Sequence, residues 1–240
     1  MRAPFYRQDM LDRFVTLGVL AILAAAAWFG FRVIERDYPQ NLPWTPLVIE
    51  QPIGWSTKTK IAALQGDPSA CLALFEGSSF QVEAIPDRSD SEQCGWSDAV
   101  TLREMSAAYS PGTVRMACPL AATLAIWEEN VVQPAAREIF GSDVTEIEQL
   151  GTYSCRRIAG SERWSTHAQA KAIDISAFRL ADGQRISLAG DWNGTGKPSQ
   201  FLHRIRDEGC AVFGTLLGPD YNAAHRDHFH LQQAGFGTCR

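Results

Sequence analysis

Ser165-Thr166-His167-Ala168-Gln169-Ala170-Lys171-Ala172-Ile173-Asp174-Ile175 is the stretch on which the reading of this chain turns. Its second half, continued by Ser176-Ala177-Phe178, reads as a strand with Ile173 and Ile175 on one face and Asp174 on the other. A second stretch, His225-Arg226-Asp227-His228-Phe229-His230, gives the first its meaning. Residues two apart on a strand share a face, so His228 and His230 look one way while Phe229 turns into the core. If the two strands are neighbours in one sheet, Asp174, His228 and His230 line one groove. His167, in the loop before the first strand, then closes over it. A lone histidine is more often a satisfied surface or core residue, and a lone aspartate a cap. Here four of the five histidines fall in the two stretches, together with two aspartates, and that concentration favours a metal site. A histidine, an aspartate seven residues on and a distant His-x-His offer three neutral or anionic ligands with room left for water, which is what a catalytic zinc site needs.

The neighbouring segments predict a sheet flanked by helices. Downstream, Asp182-Gly183 makes a hairpin turn into a strand at Gln184–Leu188, Ser199–Gly209 has helical spacing, and Cys210–Phe213 begins another apolar strand. Asp227–Leu231 is the last strand. Upstream, Val144–Leu150 suits a strand. Cys118-Pro119 opens the strongest helix, with Leu120, Thr123, Leu124, Trp127 and Val131 at helical spacing. Pro134 interrupts it, so Ala135–Phe140 is expected as a separate helical turn closed by Gly141. Nearer the N-terminus come a short helix at Thr59–Gln65, a turn or helix start at Asp67-Pro68, and strands at Phe80–Ile85 and Ala99–Leu102. The fold class is therefore α+β: a small antiparallel sheet with flanking helices, bearing a zinc site and preceded by one transmembrane helix.

That helix is expected in residues 14–34, where Phe14 to Phe31 is apolar apart from Thr16, Gly18 and Gly30. Such a run just suffices to cross a hydrocarbon core. Ala24–Ala27 keep a cleaved signal peptide open as the alternative. Residues 1–13 are then a cytoplasmic N-terminus, residues 35–57 a Pro-rich linker, and residues 58–240 the domain. The linker, with Pro39, Pro43, Pro46 and Pro52, either holds the domain off the bilayer or packs on it as an arm anchored by Trp44 and Trp55. All six cysteines follow the apolar run, and paired cysteines persist in oxidising compartments. This predicts a single-pass membrane protein with its domain outside the cytoplasm, or an exported protein released by signal cleavage. Cys71 with Cys94 and Cys210 with Cys239 are the expected sequence-neighbour pairs among the possible pairings. A net charge of −5 and no run of Lys or Arg exclude a nucleic-acid binder.

Ser-x-His-(six residues)-Asp together with His-x-Asp-His-Phe-His resembles the peptidoglycan zinc peptidases of the lysostaphin / D-Ala-D-Ala metallopeptidase group. The first motif looks like that of the D-Ala-D-Ala carboxypeptidases, and the second like that of the penicillin-insensitive murein endopeptidases. From about Cys71 onward the chain is most similar to the bacterial extensin-like C-terminal domain family, through Gly-Thr-Tyr-Ser-Cys-Arg, Leu-Gly-Pro-Asp-Tyr-Asn and His-Arg-Asp-His-Phe-His. The resemblance implies His167, Asp174 and His230 as zinc ligands, with water in the fourth position. It implies that Ser165 supports the loop near His167, and that His228 stabilises an oxyanion or shuttles a proton. His225 matches the extra active-site histidine of the endopeptidases. His225 and His228 are then the acid/base pair, and Asp227 a partner that orients a histidine. One departure is Ala170, where the carboxypeptidase pattern has glycine. Arg156 is a candidate for gripping a substrate carboxylate, or else a surface arginine beside a disulfide. Tyr153, Trp164 and Tyr221 are candidates for the cleft wall, with core packing the ordinary alternative, and His203 is expected on the surface. The resemblance further implies that the membrane is the bacterial inner membrane and the compartment the periplasm. The implied function is zinc-dependent hydrolysis of peptide bonds in peptidoglycan, as endopeptidase or carboxypeptidase. The alternative is a zinc-containing module that binds wall peptides without cutting them.

Overall fold

A computed structural model describes residues 5–235 and 237–240. The cytoplasmic assignment of residues 1–13 therefore falls partly on residues 1–4, which lie outside the described residues. In chain order, helix α1 (Phe5–Asp37) is followed by α2 (Thr57–Ala63) and α3 (Pro68–Ala73). Strands β1 (Gln81–Ala84), β2 (Arg88–Ser89), β3 (Gly95–Trp96), β4 (Ala99–Glu104), β5 (Ala108–Ser110) and β6 (Arg115–Ala117) lead into α4 (Cys118–Trp127) and α5 (Gln133–Phe140). The remainder comprises β7 (Val144–Gly151), β8 (Ala172–Leu180), β9 (Arg185–Ser187), α6 (Leu188–Asp191), α7 (Lys197–Gly209), β10 (Thr215–Leu217), β11 (Phe229–Gln232) and β12 (Thr238–Cys239).

Every residue of α4 is buried, as its composition requires: Leu, Ala, Ile and Trp all round leave no face for water. Pro119 fits the first turn, where its missing N–H costs nothing. Trp127 is the centre of the core. Its rings meet Phe178 and Phe213 edge-on, and its Nε1–H donates to the Ile205 carbonyl at 3.0 Å. Gly209 makes room for that indole, because a Cβ there would come within 2.9 Å of Trp127 Nε1.

Pro134 does not break the helix. The chain passes through a π-helical turn, Glu128–Val132, with the Gln133 N–H reaching back to the Glu128 carbonyl. Widening the turn is how a helix absorbs a proline ring that would otherwise strike the carbonyl four residues back. Helix α5 then ends at Gly141, whose φ of 71° is the left-handed cap expected there.

The main sheet runs β12-β10-β11-β8-β7-β5, with β9 also paired to β8. Its centre is antiparallel as expected, but β5–β7 and β10–β12 are parallel at the two margins, so the sheet is mixed. These marginal strands are two or three residues long, too short to carry a period. A second, antiparallel sheet is β1-β4-β6. Cys210–Phe213 is a turn after α7 rather than a strand; Val212 and Phe213 are buried within it, and β10 begins at Thr215. A short apolar run is equally compatible with both.

Three disulfides close the domain, and two of them correct the expected pairing. Cys71 bonds Cys118 and Cys94 bonds Cys155, while Cys210–Cys239 is as expected. Helix α3, capped by Asp67, lies against the start of α4, and this brings Cys71 to Cys118 rather than to the nearer Cys94 in sequence. Helix α1 contains one segment, Asp12–Asp37, long and apolar enough to be a membrane span or a signal sequence. Residues 38–56 form a packed arm. Ile49 is its buried anchor, and Lys60 Nζ donates to the Pro39 carbonyl, Thr45 Oγ1 and the Pro46 carbonyl. Trp44 and Trp55, the anchors proposed for the packed-arm alternative, are exposed instead.

Glu128 is fully buried at the π-turn, where its carboxylate accepts from Ser106 Oγ, the Ala107 N–H and Tyr109 Oη. Burial pushes its carboxyl up to about 7, and these hydrogen bonds offset only part of that rise. Between an ordinary carboxyl value of 4.5 and about 7, the unfolded chain holds fewer protons than the folded one. Stability therefore falls as pH rises through this window, by a total of about 3 kcal/mol, and levels off above it. Urea unfolding of Glu128→Gln on both sides of the window is expected to lack that fall; an unchanged pH slope would refute the assignment.

Candidate metal centre

Strands β8 and β11 pair antiparallel with His230 opposite Asp174. Alternation decides which side chains face the site: Ile173, Ile175, Phe229 and Leu231 are fully buried on the core side, leaving Asp174 and His230 on the other. His167 arrives from the 3-10 turn Thr166–Gln169, which the Ser165 hydroxyl caps by accepting the His167 N–H. Ala170 ends that turn at φ 52°, a left-handed conformation in which glycine is unstrained and alanine is not. The Ala170 carbonyl is held by the Ala117 N–H at 2.9 Å, and the His167 carbonyl by the Ser154 N–H at 3.0 Å. The turn is thus fixed from two sides before the strand begins.

The three side chains converge closely. His167 Nε2 lies 3.2 Å from Asp174 Oδ1 and 3.1 Å from His230 Nδ1, which is itself 3.0 Å from Asp174 Oδ1. The outer ring nitrogens settle the tautomers. His167 Nδ1 is 3.2 Å from the Thr152 carbonyl, which can only accept, so that nitrogen carries the proton. The Gln232 Nε2 donates to the Ala234 carbonyl at 2.7 Å, so its Oε1 is the atom 3.2 Å from His230 Nε2. Thr166 Oγ1 donates to the same oxygen at 2.8 Å. His230 therefore carries its proton on Nε2. Three lone pairs, on His167 Nε2, His230 Nδ1 and Asp174 Oδ1, then face one another across a half-buried space. A proton on one imidazole relieves some of these contacts; a metal cation satisfies all three at once.

Burial alone would raise the Asp174 carboxyl, but when a second proton on His167 or His230 points at it, hydrogen bonding and charge outweigh burial and hold the carboxyl well below the usual carboxylate range. A carboxylate and two imidazole lone pairs form a donor set suited to a divalent cation, which takes the place of that proton.

Two more histidines border the cluster. His228 precedes β11, its Nε2 is 3.8 Å from Asp174 Oδ1, and its Nδ1 is 2.9 Å from Asp227 Oδ1. Because β11 begins only at Phe229, Asp227 is not held to a strand face opposite His228. The His225 ring lies 5.3 Å from that of His228 and 5.8 Å from that of His230, and its Nδ1 is 2.8 Å from Asn222 Oδ1. Burial, then the positive charge that His228 and His230 carry when protonated, brings His225 down to about 4, with Asp174 opposing and Arg156 adding to the fall. Arg156 itself is exposed, close enough for its charge to act on His225. Ser165 is buried and its hydroxyl accepts the His167 N–H, so it supports the turn that carries His167. His203 stands apart, stacked on Trp192 at 4.0 Å. Tyr221 meets His225 edge-on, whereas Tyr153 packs against Trp96, and Trp164 lies under Arg157.

The sequence did not single out Thr152 or Gln232. Gln232 had a signal, being two residues after His230 on the same strand face. Thr152 acts through its backbone carbonyl and had none.

A model of the family described as Extensin-like protein C-terminus matches residues 69–240. The chain belongs to this family. No curated protein and no solved structure matches the chain. The extensin-like region takes in both histidine stretches and all six cysteines, and it begins after the apolar helix and the arm.

Titration of the metal-free chain with zinc, or with cobalt for its visible absorption, checks the centre. His167→Ala, Asp174→Asn and His230→Ala are each expected to abolish binding. Gln232→Leu, which leaves all three ligands in place, is expected to weaken it by about 10–100-fold. Unchanged affinity in Gln232→Leu would remove that residue from the centre.

Proposed function

We propose that this extensin-like chain is a zinc-dependent hydrolase of peptide bonds in peptidoglycan, held at the membrane by α1 with its domain in the periplasm. The observation that carries this reading is the convergence of three lone pairs from His167, Asp174 and His230, flanked by two further histidines. The ligand-to-ligand distances of 3.0–3.2 Å suit a tetrahedral ion. Ligands at zinc's usual bond lengths are separated by about 3.3 Å along a tetrahedral edge. Three protein ligands leave one position open, as catalytic rather than structural zinc sites do. The peptidoglycan substrate rests on the likeness of the two histidine motifs to those of the murein peptidases, and the disulfides suit an oxidising compartment.

Zinc in such a set supplies a bound water acidified towards neutrality and a Lewis acid for the scissile carbonyl. The protein's part is proton transfer and positioning. His228 donates its Nδ1–H to Asp227, which leaves Nε2 free to accept a proton and later deliver it to the leaving amine. Asp227 stabilises the imidazolium that forms meanwhile, and contact with His228 in turn holds the Asp227 carboxyl low. His225, brought down to about 4, stays neutral at physiological pH and presents Nε2 as a second acceptor. Exposed Arg156 offers a bidentate grip on a substrate carboxylate.

The purified full chain, assayed for zinc and then incubated with sacculi, tests this reading. Wild type is expected to carry zinc and release new amines. His228→Ala is expected to keep its zinc and lose about 100–10,000-fold in rate. A chain that binds no zinc at neutral pH sinks the proposal. One that keeps zinc and binds muropeptides without releasing an amine is the non-catalytic wall-binding module instead.

A further inference from the structure

The arm between α1 and the domain leaves three large aromatic side chains in the open at one place. Tyr38 is 54% exposed, Trp44 60% and Trp55 93%. They are not on a loose linker. The Trp55 N–H donates to Asn41 Oδ1 at 3.0 Å, and Ser56 Oγ donates to the Asn41 carbonyl at 2.7 Å. Gly54 approaches so closely that a Cβ there would meet Gln40 and Asn41 within 2.6 Å. Lys60 Nζ ties Pro39, Thr45 and Pro46 together from beneath. The Trp44 ring stacks on Phe31 of α1, with centroids 6.1 Å apart and planes 20° from parallel.

That last contact sets a depth. The apolar run Phe14–Phe31 rises about 27 Å as a helix, close to the roughly 30 Å of a hydrocarbon core. Phe31 therefore stands at the boundary between hydrocarbon and headgroups. Trp44 is held beside it, and Tyr38 and Trp55 are fixed to the same few residues. Indole and phenol rings, apolar with one polar edge, favour that boundary layer over either bulk phase.

We infer that Tyr38, Trp44 and Trp55 form an aromatic apron seated in the headgroup layer of the bilayer that α1 enters. The occupant is lipid, because the apron is continuous with the helix and Trp44 lies against the end of its apolar run. The domain is then docked on the membrane by a folded arm rather than suspended from a flexible tether. This rests on α1 being retained as a span.

Emission from the full chain in vesicles containing brominated phosphatidylcholine tests the inference, with subtraction of Trp55→Phe isolating the Trp55 signal. That signal is expected to lose intensity when bromines sit near the glycerol, to lose less when they lie at the chain ends, and to be protected from aqueous iodide. Subtraction of Trp28→Phe reports α1 itself in the same way. If Trp28 is quenched by lipid while Trp55 answers only to iodide, the apron is refuted and the span stands. If brominated lipid quenches neither, the span fails and the apron with it. Protection of Trp55 from both quenchers would mean that protein, not lipid, covers it, and would also overturn the inference.

Discussion

The antiparallel pairing of β8 with β11, with Asp174 set opposite His230, is the constraint on which the site depends. A strand places alternate side chains on opposite faces, so a slip of one residue would send both ligands into the core and their apolar neighbours into water. The fully buried Ile173, Ile175, Phe229 and Leu231 make that slip prohibitive. The register that buries four apolar side chains is the same one that brings a carboxylate and an imidazole within 3.0 Å. Core packing thus does the positioning, and the ligands need no mobile loop to meet.

The third ligand is held differently. His167 comes from a 3-10 turn, an element with little stability of its own, and is fixed by what surrounds it. Ser165 caps the turn, Ser154 and Ala117 donate to its carbonyls, and the Thr152 carbonyl receives the imidazole proton. The Cys94–Cys155 bond ties the segment after Thr152 to the β2–β3 hairpin. An alanine in left-handed conformation at position 170 marks the strain the turn tolerates. On the His230 side, Gln232 reads Thr166, Thr215 and Ala234 at once, so one amide couples the orientation of β11 to that of the ligand turn.

The helical layer under the sheet supports both. Helix α4 has no polar face and is stable only when covered on all sides; the π-turn lets the helix continue past Pro134 into α5, which keeps one buried face and turns Arg137 and Glu138 to solvent. The turn also places Glu128 where it accepts three hydrogen bonds from the Ser106–Tyr109 segment, joining the marginal strand β5 to the core through a buried carboxyl. On the other side, the arm after α1 is packed by Ile49 and Lys60, so the domain and the apolar helix are joined by folded structure.

Read alone, the sequence determined the α+β class, the apolar helix, the helix that opens at Cys118 and the two stretches that supply His167, Asp174 and His230. These are local properties: period, composition, and the clustering of rare residue types within a few positions. It also made Cys210–Cys239 legible, as the last two cysteines in the sequence. Tertiary structure decided what depends on residues distant in the chain. It paired Cys71 with Cys118 and Cys94 with Cys155, because helix and hairpin packing, not sequence spacing, sets which sulfurs meet. It added the short parallel strands at the sheet margins, which borrow their order from longer neighbours. It buried Ile49 and left Trp55 in the open, reversing an assignment that hydrophobicity alone would favour. And it fixed the tautomers of His167 and His230 through a backbone carbonyl and one glutamine, because the direction in which a lone pair points is a property of the neighbours and not of the residue.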